Sequence, residues 1–472
     1  MNKIKVDQLH KDVPEEWKDQ GMRAEIRERA INLGRKIIVL DDDPTGTQTV
    51  YDTDVLTVWD YELIKEEMLK DNLIFYILSN SRAFPEEKAI LINEGIANNI
   101  ARVADELSID VEIISRSDST LRGHYPVEVE TLKSVLKERL NIEFDGEIMV
   151  PFFIEGGRVT VNNIHWVKEQ EWYIPAGETE FARDSTFGYK SSLLPKWIEE
   201  KTMGDFKAED VVCITLEDIR KGGPEEVYKK LMTVSSRSKI IVNALTYSDM
   251  DVFVLGLLKA EEKGKNYIFR TAASFVKVRA GIADKSLLTS ADLSGNRSEN
   301  GGLVVVGSHV DKSTRQLVNL IENTKIFPLE LNVMAVLEQT NRSEEINKVY
   351  KKAEELIAAG NDVVIYTSRD VIKSDQFLKI GEQVSSALVD VINNINIPPA
   401  YFIAKGGITS SDLATKALQV KKAVVAGQIL PGVPVWILDN NSIFSNLTYI
   451  VFPGNVGKDS SITEVVNMLK KI

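Results

Sequence analysis

At 472 residues, 43% hydrophobic and 27% charged, the chain has the balance of a globular protein and too much length for one ordinary core. Its formal net charge of −13 disfavours a nucleic-acid partner, whose phosphates need a basic footprint, while a few well-placed arginines could still hold a small anion. A single cysteine, Cys213, excludes an intramolecular disulfide and a cysteine-cluster metal site, and four histidines in no paired spacing leave a structural zinc without ligands.

Residues 1–20 are charged and lack the apolar run of a signal peptide, and no stretch reaches the length of a membrane span. The expectation is a cytoplasmic protein with no membrane partner. Residues 14–33 read as an amphipathic helix with Trp17, Met22, Ile26 and Ala30 near one face. A buried strand over 36–40 follows, and strand-like runs recur at 73–78, 111–115, 146–150, 211–215, 239–242 and 267–269, with helical segments between most of them. Cys213 lies in one of these runs and reads as an inert core thiol. Alternation of this kind predicts an α/β fold with a largely parallel sheet.

Residues 286–302 are rich in Ser, Asn and Gly and read as a linker. They separate a first domain, 1–285 with a helical extension over 1–35, from a second, 303–472. There the alternation restarts, with strands at 303–306, 326–331, 362–367, 401–404, 433–437 and 449–452. Helices are predicted over 312–323, 343–359, 376–394 and 410–419.

Ligands in parallel α/β sheets bind beyond the carboxyl ends of the strands, so the strand-end loops come first. Asp41-Asp42-Asp43-Pro44-Thr45-Gly46-Thr47 places three carboxylates directly after an apolar strand, which is costly without a cation or donors nearby. Its alternatives are a plain acidic turn, a Mg²⁺ ligand set, a hydroxyl-binding site or a general base. Asn80-Ser81-Arg82 follows the second strand and suits a carboxylate clamp if it faces the first loop, although a lone arginine there is more often structural. Ser115 to Gly123 packs Arg116, Arg122, Asp118 and hydroxyls that include Ser119 and Thr120 into one loop, the mixture a carboxylate-bearing polyol requires. Arg158, in Glu155-Gly156-Gly157-Arg158, and the Arg183-Asp184-Ser185 stretch are candidates to complete that site, against a loop salt bridge and a helix start. His165 with Trp166, Trp172 with Tyr173, and Trp197 read as packing.

In the second domain, Lys405-Gly406-Gly407-Ile408-Thr409 joins a strand to a helix, where convergent backbone N–H groups can form an anion nest. Gly307-Ser308-His309 and Pro453-Gly454-Asn455 end two other strands, so three glycine-bearing loops favour a phosphate site. The chain has neither the GxxxxGK[ST] string of a P-loop nor a GxGxxG fingerprint.

The strings DDPTGT, NSRA, SDSTLRG, PFFIEGGR, KGGITSSD, PGVPVW and PGNVG, in that order over roughly 36–470, resemble the four-carbon acid sugar kinase family. The resemblance implies two α/β domains with the active site in the cleft between them. The first would bind a tetronate-type acid such as threonate, erythronate or a 3-oxo-tetronate, and the second ATP with Mg²⁺. Carried over, it gives substrate roles to Asp42 with Asp43 beside it, Arg82, Asp118, Ser119, Thr120 and Arg122, and nucleotide roles to Ser308, Gly406, Gly407, Ile408, Thr409 and Gly454. Asp42 or Asp43 would be the general base or a metal ligand, and the sequence does not divide those roles. Ile408 stands where many relatives carry glutamate, His309-Val310 replaces a small pair, and Pro44 and Thr47-Gln48 depart from the commoner first loop. A homodimer is a base-rate expectation only.

Two other readings stay open. The first strand and its Asp41 and Asp43 also fit a haloacid-dehalogenase-type phosphatase, with Asp41 as nucleophile and Asp43 as general acid, although no later acidic pair completes that pattern. A non-catalytic sensor of a sugar acid or nucleotide is the third.

Overall fold

The computed structural model describes residues 3–19, 21–235, 237–293, 298–307, 310–338, 340–369, 377–454 and 456–470. It is a mixed α/β protein made of two compact units. The first comprises Met1–Thr49 and Val58–Asp284, and the second Val50–Thr57 and Lys285–Ile472. The short stretch 50–57 thus leaves the unit that surrounds it in sequence, which a contiguous reading of the chain does not anticipate.

The first unit is built on a parallel sheet in the order Val212–Ile214, Ser238–Val242, Gly146–Val150, Tyr267–Thr271, Val111–Arg116, Lys36–Asp41, Ile74–Leu78. Strands buried on both faces must be apolar almost throughout, and Ile37 to Leu40, Phe75 to Leu78 and Ile148 to Val150 are buried along their whole length. The register pairs Asp41 with Arg116 on one side and with Leu78 on the other. Three loops that carry charged residues therefore leave the sheet at the same level.

A second, antiparallel sheet runs Ile4–Lys5, Trp172–Pro175, Ile164–Glu169, Arg158–Val161. The helix read over 14–33 is shorter: it spans Met22–Asn32 and starts at Gly21, whose φ of +102° is a left-handed value that glycine tolerates. Met22, Ile26 and Ala30 form its buried face as the periodicity requires. Trp17 lies before the helix and packs on Gly223, where a Cβ would come within 2.5 Å of its ring. Cys213 is half-buried rather than in the core, because its strand is the edge of the sheet.

The second unit has the strand order Thr53–Leu56, Lys422–Leu430, Val433–Leu438, Thr448–Phe452, Phe402–Lys405, Leu303–Val306, Val363–Thr367, Phe327–Leu331. The first three pairings are antiparallel and the remainder parallel. Its core gathers Val304, Val306, Ile403, Ile450 and Phe452 from the sheet with Leu317, Leu320, Val465 and Val466 from the helices Asp311–Asn323 and Ser461–Lys470. The helix expected over 410–419 begins earlier, at Gly407, and passes into a π-helical turn over Leu413–Ala417.

Backbones approach closely where this sheet begins. A Cβ on Gly301 would overlap the backbone carbonyl of Asn361, a neighbour with no flexible end to move. Overpacking of this kind costs about 1–3 kcal/mol. Gly301→Ala should accordingly lower the midpoint of urea unfolding, and an unchanged midpoint would show that the two chains are not held this closely.

Candidate active site

Asp41, Asp42 and Asp43 continue out of the Lys36–Asp41 strand, and the first two are almost wholly buried. Such a cluster survives only if cations meet it. Arg116, from the adjacent strand, donates through Nη1 to Asp41 Oδ1 at 2.9 Å and to Asp42 Oδ1 at 3.3 Å. Arg82, from the 3₁₀ turn Ser81–Ala83, binds Asp43 Oδ2 through Nη2. Its Nη1 lies 3.2 Å from Asp118 Oδ1 and 3.6 Å from Asp42 Oδ2. One guanidinium thus joins the first loop to the third.

The carboxylates are not equivalent. Burial pushes Asp41 up to about 8 against the pull of Arg116, so it is largely protonated at neutral pH. The loop wraps it closely, and a Cβ on Gly46 would overlap its carboxyl oxygens. Burial raises Asp42 to about 6, with Arg82 and Arg116 opposing. Its Oδ2 is buried without a hydrogen-bond partner and faces Gly123, where a Cβ would stand 3.4 Å away. Asp43 is held below its ordinary value because Arg82 outweighs its burial. Thr45 N–H, at 2.8 Å from Asp43 Oδ1, adds to that preference.

Asp118 is the hub of the third loop. It accepts from Arg122 Nε at 2.9 Å, from Thr120 N–H at 3.1 Å and from the Thr120 hydroxyl. Against its burial, Arg122 and Arg82 hold it well below the usual carboxylate range. Ser119 takes part through its carbonyl, which accepts from His165 Nε2 at 2.8 Å. That bond fixes the tautomer: His165 Nδ1 accepts from the Thr160 hydroxyl at 3.0 Å, and burial lowers the ring to about 4, so it is neutral. Tyr189 anchors the same loop by donating to the Thr120 carbonyl at 2.7 Å. His165 therefore packs, as its sequence context suggests, but it also props the loop.

Arg158 donates to the Gly156 carbonyl and makes no ion pair among the described residues, and burial lowers its pKa. Its guanidinium and that of Arg122 lie 5.7 Å and 5.1 Å from the ring centre of Phe181. Asp184 stands 3.7 Å from Arg122 Nη1. The structure thus brings Asp42, Asp43, Arg82, Asp118, Thr120 and Arg122 into one connected network, with Arg158 beside it.

Sequence reasoning missed Arg270. It is buried, carried by the Tyr267–Thr271 strand beyond where that strand was read to end, and donates through Nη2 to the Arg122 carbonyl at 3.0 Å. Its signal was an arginine closing an apolar strand, the same pattern as Arg116.

In the second unit, Val306, Lys405 and Phe452 close three adjacent parallel strands, and Gly307 follows the first of them. Thr409 packs on Gly307, where no Cβ would fit. Gly406 has a φ of +114°, open to glycine alone in practice, and precedes Gly407 and the exposed Ile408. Gly454 has open space on its Cβ side, and its carbonyl accepts from Lys405 Nζ at 3.1 Å. Ser308 lies outside the described residues. Two further cations were given no role by the sequence reading: the buried Lys405, which it noted only as the start of the glycine turn, and Arg369, whose Nη2 donates to the Val306 carbonyl at 3.1 Å.

Among the described residues no group of three or more His, Cys, Asp and Glu is arranged to hold a metal ion. No helix is long and apolar enough to cross a membrane.

A family model described as a sugar-binding N-terminal domain matches residues 37–279, and one described as a nucleotide-binding C-terminal domain matches residues 303–462. No curated protein matches the chain. Among solved structures, a Haemophilus influenzae protein of family DUF1537 is similar at 15% identity, with a TM-score of 0.60 over 92% of this chain and 100% of its own. A Salmonella typhimurium LT2 protein titled a tRNA synthase candidate aligns at 14% identity with a TM-score of 0.65, over 91% of this chain and 98% of its own. At these identities the likeness establishes the two-domain α/β fold.

The ion network makes one direct prediction. Removing one partner of a buried charge pair costs about 3–5 kcal/mol, because the other charge stays behind unpaired. Arg116→Met should therefore sharply lower the melting temperature near pH 7. A variant that melts with the wild type would show that Arg116 is not what compensates Asp42.

Proposed function

The chain belongs to the four-carbon acid sugar kinase family, and on that premise we propose that it transfers a phosphoryl group from ATP to a hydroxyl of a small sugar acid such as threonate, erythronate or a 3-oxo-tetronate. The observation that carries this reading is Asp42. It is a buried carboxylate raised to about 6, with one oxygen free of hydrogen bonds, in ion-pair reach of Arg82 and Arg116.

A general base should titrate just below the working pH and have a free oxygen for the incoming proton. Asp42 meets both conditions. Asp43 meets neither, since Arg82 and Thr45 occupy its oxygens and hold it ionised. The roles that the sequence left undivided are therefore assigned here: Asp42 takes the proton and Asp43 orients Arg82. Arg122 and Arg158 would hold the substrate carboxylate, and Asp118 and Thr120 would keep Arg122 in place.

Phosphoryl transfer asks mainly for positioning and charge neutralisation. The Gly406–Thr409 turn, Ser308 and Gly454 would carry the nucleotide. Mg²⁺, held chiefly by phosphate oxygens as that ion commonly is, would neutralise charge on the transferring group. The phosphatase reading has less support, because its nucleophile would be Asp41, a largely protonated acid enclosed by its own loop.

The test is ADP release from Mg-ATP in the presence of erythronate, threonate and their 3-oxo derivatives, run beside phosphate release from sugar phosphates without ATP. Release of ADP that depends on one acid supports the kinase, whereas phosphate release alone would replace it with the phosphatase. Asp42→Asn should lower kcat by about a hundredfold or more, the usual share of positioned acid–base catalysis. The sign of the pH effect follows from the base being active when ionised. Activity of the wild type should fall as pH drops through about 6. Near-normal turnover in Asp42→Asn would remove Asp42 from this role.

A further inference from the structure

Lys405 closes the Phe402–Lys405 strand, and its side chain is wholly buried. The ammonium sits 4.5 Å from the ring centre of Phe452, on the next strand, and donates to the carbonyls of Pro453 at 2.6 Å and Gly454 at 3.1 Å. Among the described residues no carboxylate pairs with it, and the charged group that faces it is another cation, Lys312, near the start of the helix Asp311–Asn323. Lys239, equally buried, is different: it is met by both Glu147 and Glu130.

A count of donors sharpens the contrast. A neutral amine has two N–H groups, and the two carbonyls accept both; a charged ammonium has three. Among the described residues, the third proton has no acceptor. Among the described residues, hydrogen bonding therefore satisfies the N–H groups of the amine and leaves the ammonium, beyond its contact with the Phe452 ring, one acceptor short, in a unit whose family model is a nucleotide-binding domain. Its two carbonyl partners belong to the Gly454 loop, and the lysine itself precedes the Gly406–Gly407 turn. It ties together two of the loops assigned to the nucleotide.

We propose that Lys405 is the cation that answers a nucleotide's phosphates: an anionic phosphate oxygen arriving at these loops supplies the third acceptor, and the amine takes a proton from solvent as the phosphate binds. This rests on the reading of the second unit as the ATP site. Burial, with Lys312 adding to it, lowers Lys405 to about 7, so an appreciable part of it is uncharged in the free protein. An anion at hydrogen-bonding distance favours the charged form. Binding should then be tightest below pH 7 and weaken as pH rises above it, because protons become scarcer while the bound state still requires one.

Calorimetric titration of the full chain with ADP and MgCl₂ at pH 8 tests this, in two buffers of different ionisation enthalpy. At that pH the nucleotide's own phosphates, which titrate near 6, contribute little. The wild type should take up close to one proton per ADP bound. Lys405→Met should take up none and bind about tenfold more weakly, the scale of one charge-assisted hydrogen bond. Lys405→Arg carries a permanent charge, so it should bind without proton uptake. A lysine acting only as a peg between loops would leave the proton count the same in all three proteins, and that result would overturn the proposal. If Lys405→Met does not fold, Lys405→Arg decides alone, since proton uptake that persists in it has another source. Failure of the wild type to bind ADP would sink the nucleotide site itself, an outcome distinct from binding with unchanged proton counts.

Discussion

Everything in the first unit's site depends on how three consecutive carboxyl groups can be buried at the end of one strand. Desolvation and mutual repulsion both oppose it. The solution is a matter of register. Arg116 is the cross-strand neighbour of Asp41, and Arg82 arrives from the loop after the strand on the other side. Even so, the three guanidinium groups of Arg82, Arg116 and Arg122 do not neutralise the three carboxylates and Asp118 together. One group relieves the imbalance by keeping its proton, and Asp41, the most enclosed, is that group. Asp43 and Asp118 are then firmly ionised, and Asp42 is left between the extremes. The buried acidic cluster is thus a means of tuning one member rather than a set of three equal ligands.

The chain made much of this legible and concealed the rest for physical reasons. Apolar strands followed at once by charged loops mark the carboxyl ends of a parallel sheet, so Asp42, Arg82, Asp118 and Arg122 could be found from local pattern alone. Arg270 could not, because what matters about it is a bond to the Arg122 carbonyl across 148 positions of chain. The Thr53–Leu56 strand was hidden in the same way. Its partner is Lys422–Val425, and no periodicity within a window reports so distant a pairing. The antiparallel sheet over 158–175 has strands too short and mixed in polarity to stand out, yet it supplies His165, which props the Ser119 loop from behind. The helix over 14–33 was overextended because its apolar spacing continues through Trp17, while Gly21 sets the actual start.

Ile408 illustrates a departure that the structure makes intelligible. It stands in a turn where polar contacts would be expected, and its side chain is exposed, with 59% of its surface accessible. It therefore contributes little to the packing of the turn. The neighbouring positions bear the structural work: Thr409 fills the space beside Gly307, and Ser410 donates its hydroxyl to the Ala404 carbonyl and its N–H to the Gly406 carbonyl. The shape of the turn therefore does not depend on packing by the side chain at position 408.

The two units use different cations, and the difference follows from chemistry. Arginine stays charged at any pH a protein meets, so Arg82, Arg116, Arg122 and Arg158 impose a constant field on whatever binds near them. A constant field suits a sugar acid, which is itself an anion throughout the working range. It also confines titration near neutrality in that network to the carboxyl groups, among which the proposed base lies. Lysine in a buried site can lose its charge at modest cost, and Lys405 is placed where losing it leaves every remaining N–H satisfied. A group of that kind need not carry an uncompensated charge through the part of the cycle when no phosphate is present. Desolvating a permanent cation there would tax the folded state continuously. Charge that appears only with its counter-ion avoids that penalty, and under the proposed phosphate role a lysine fits the end of this strand better than an arginine.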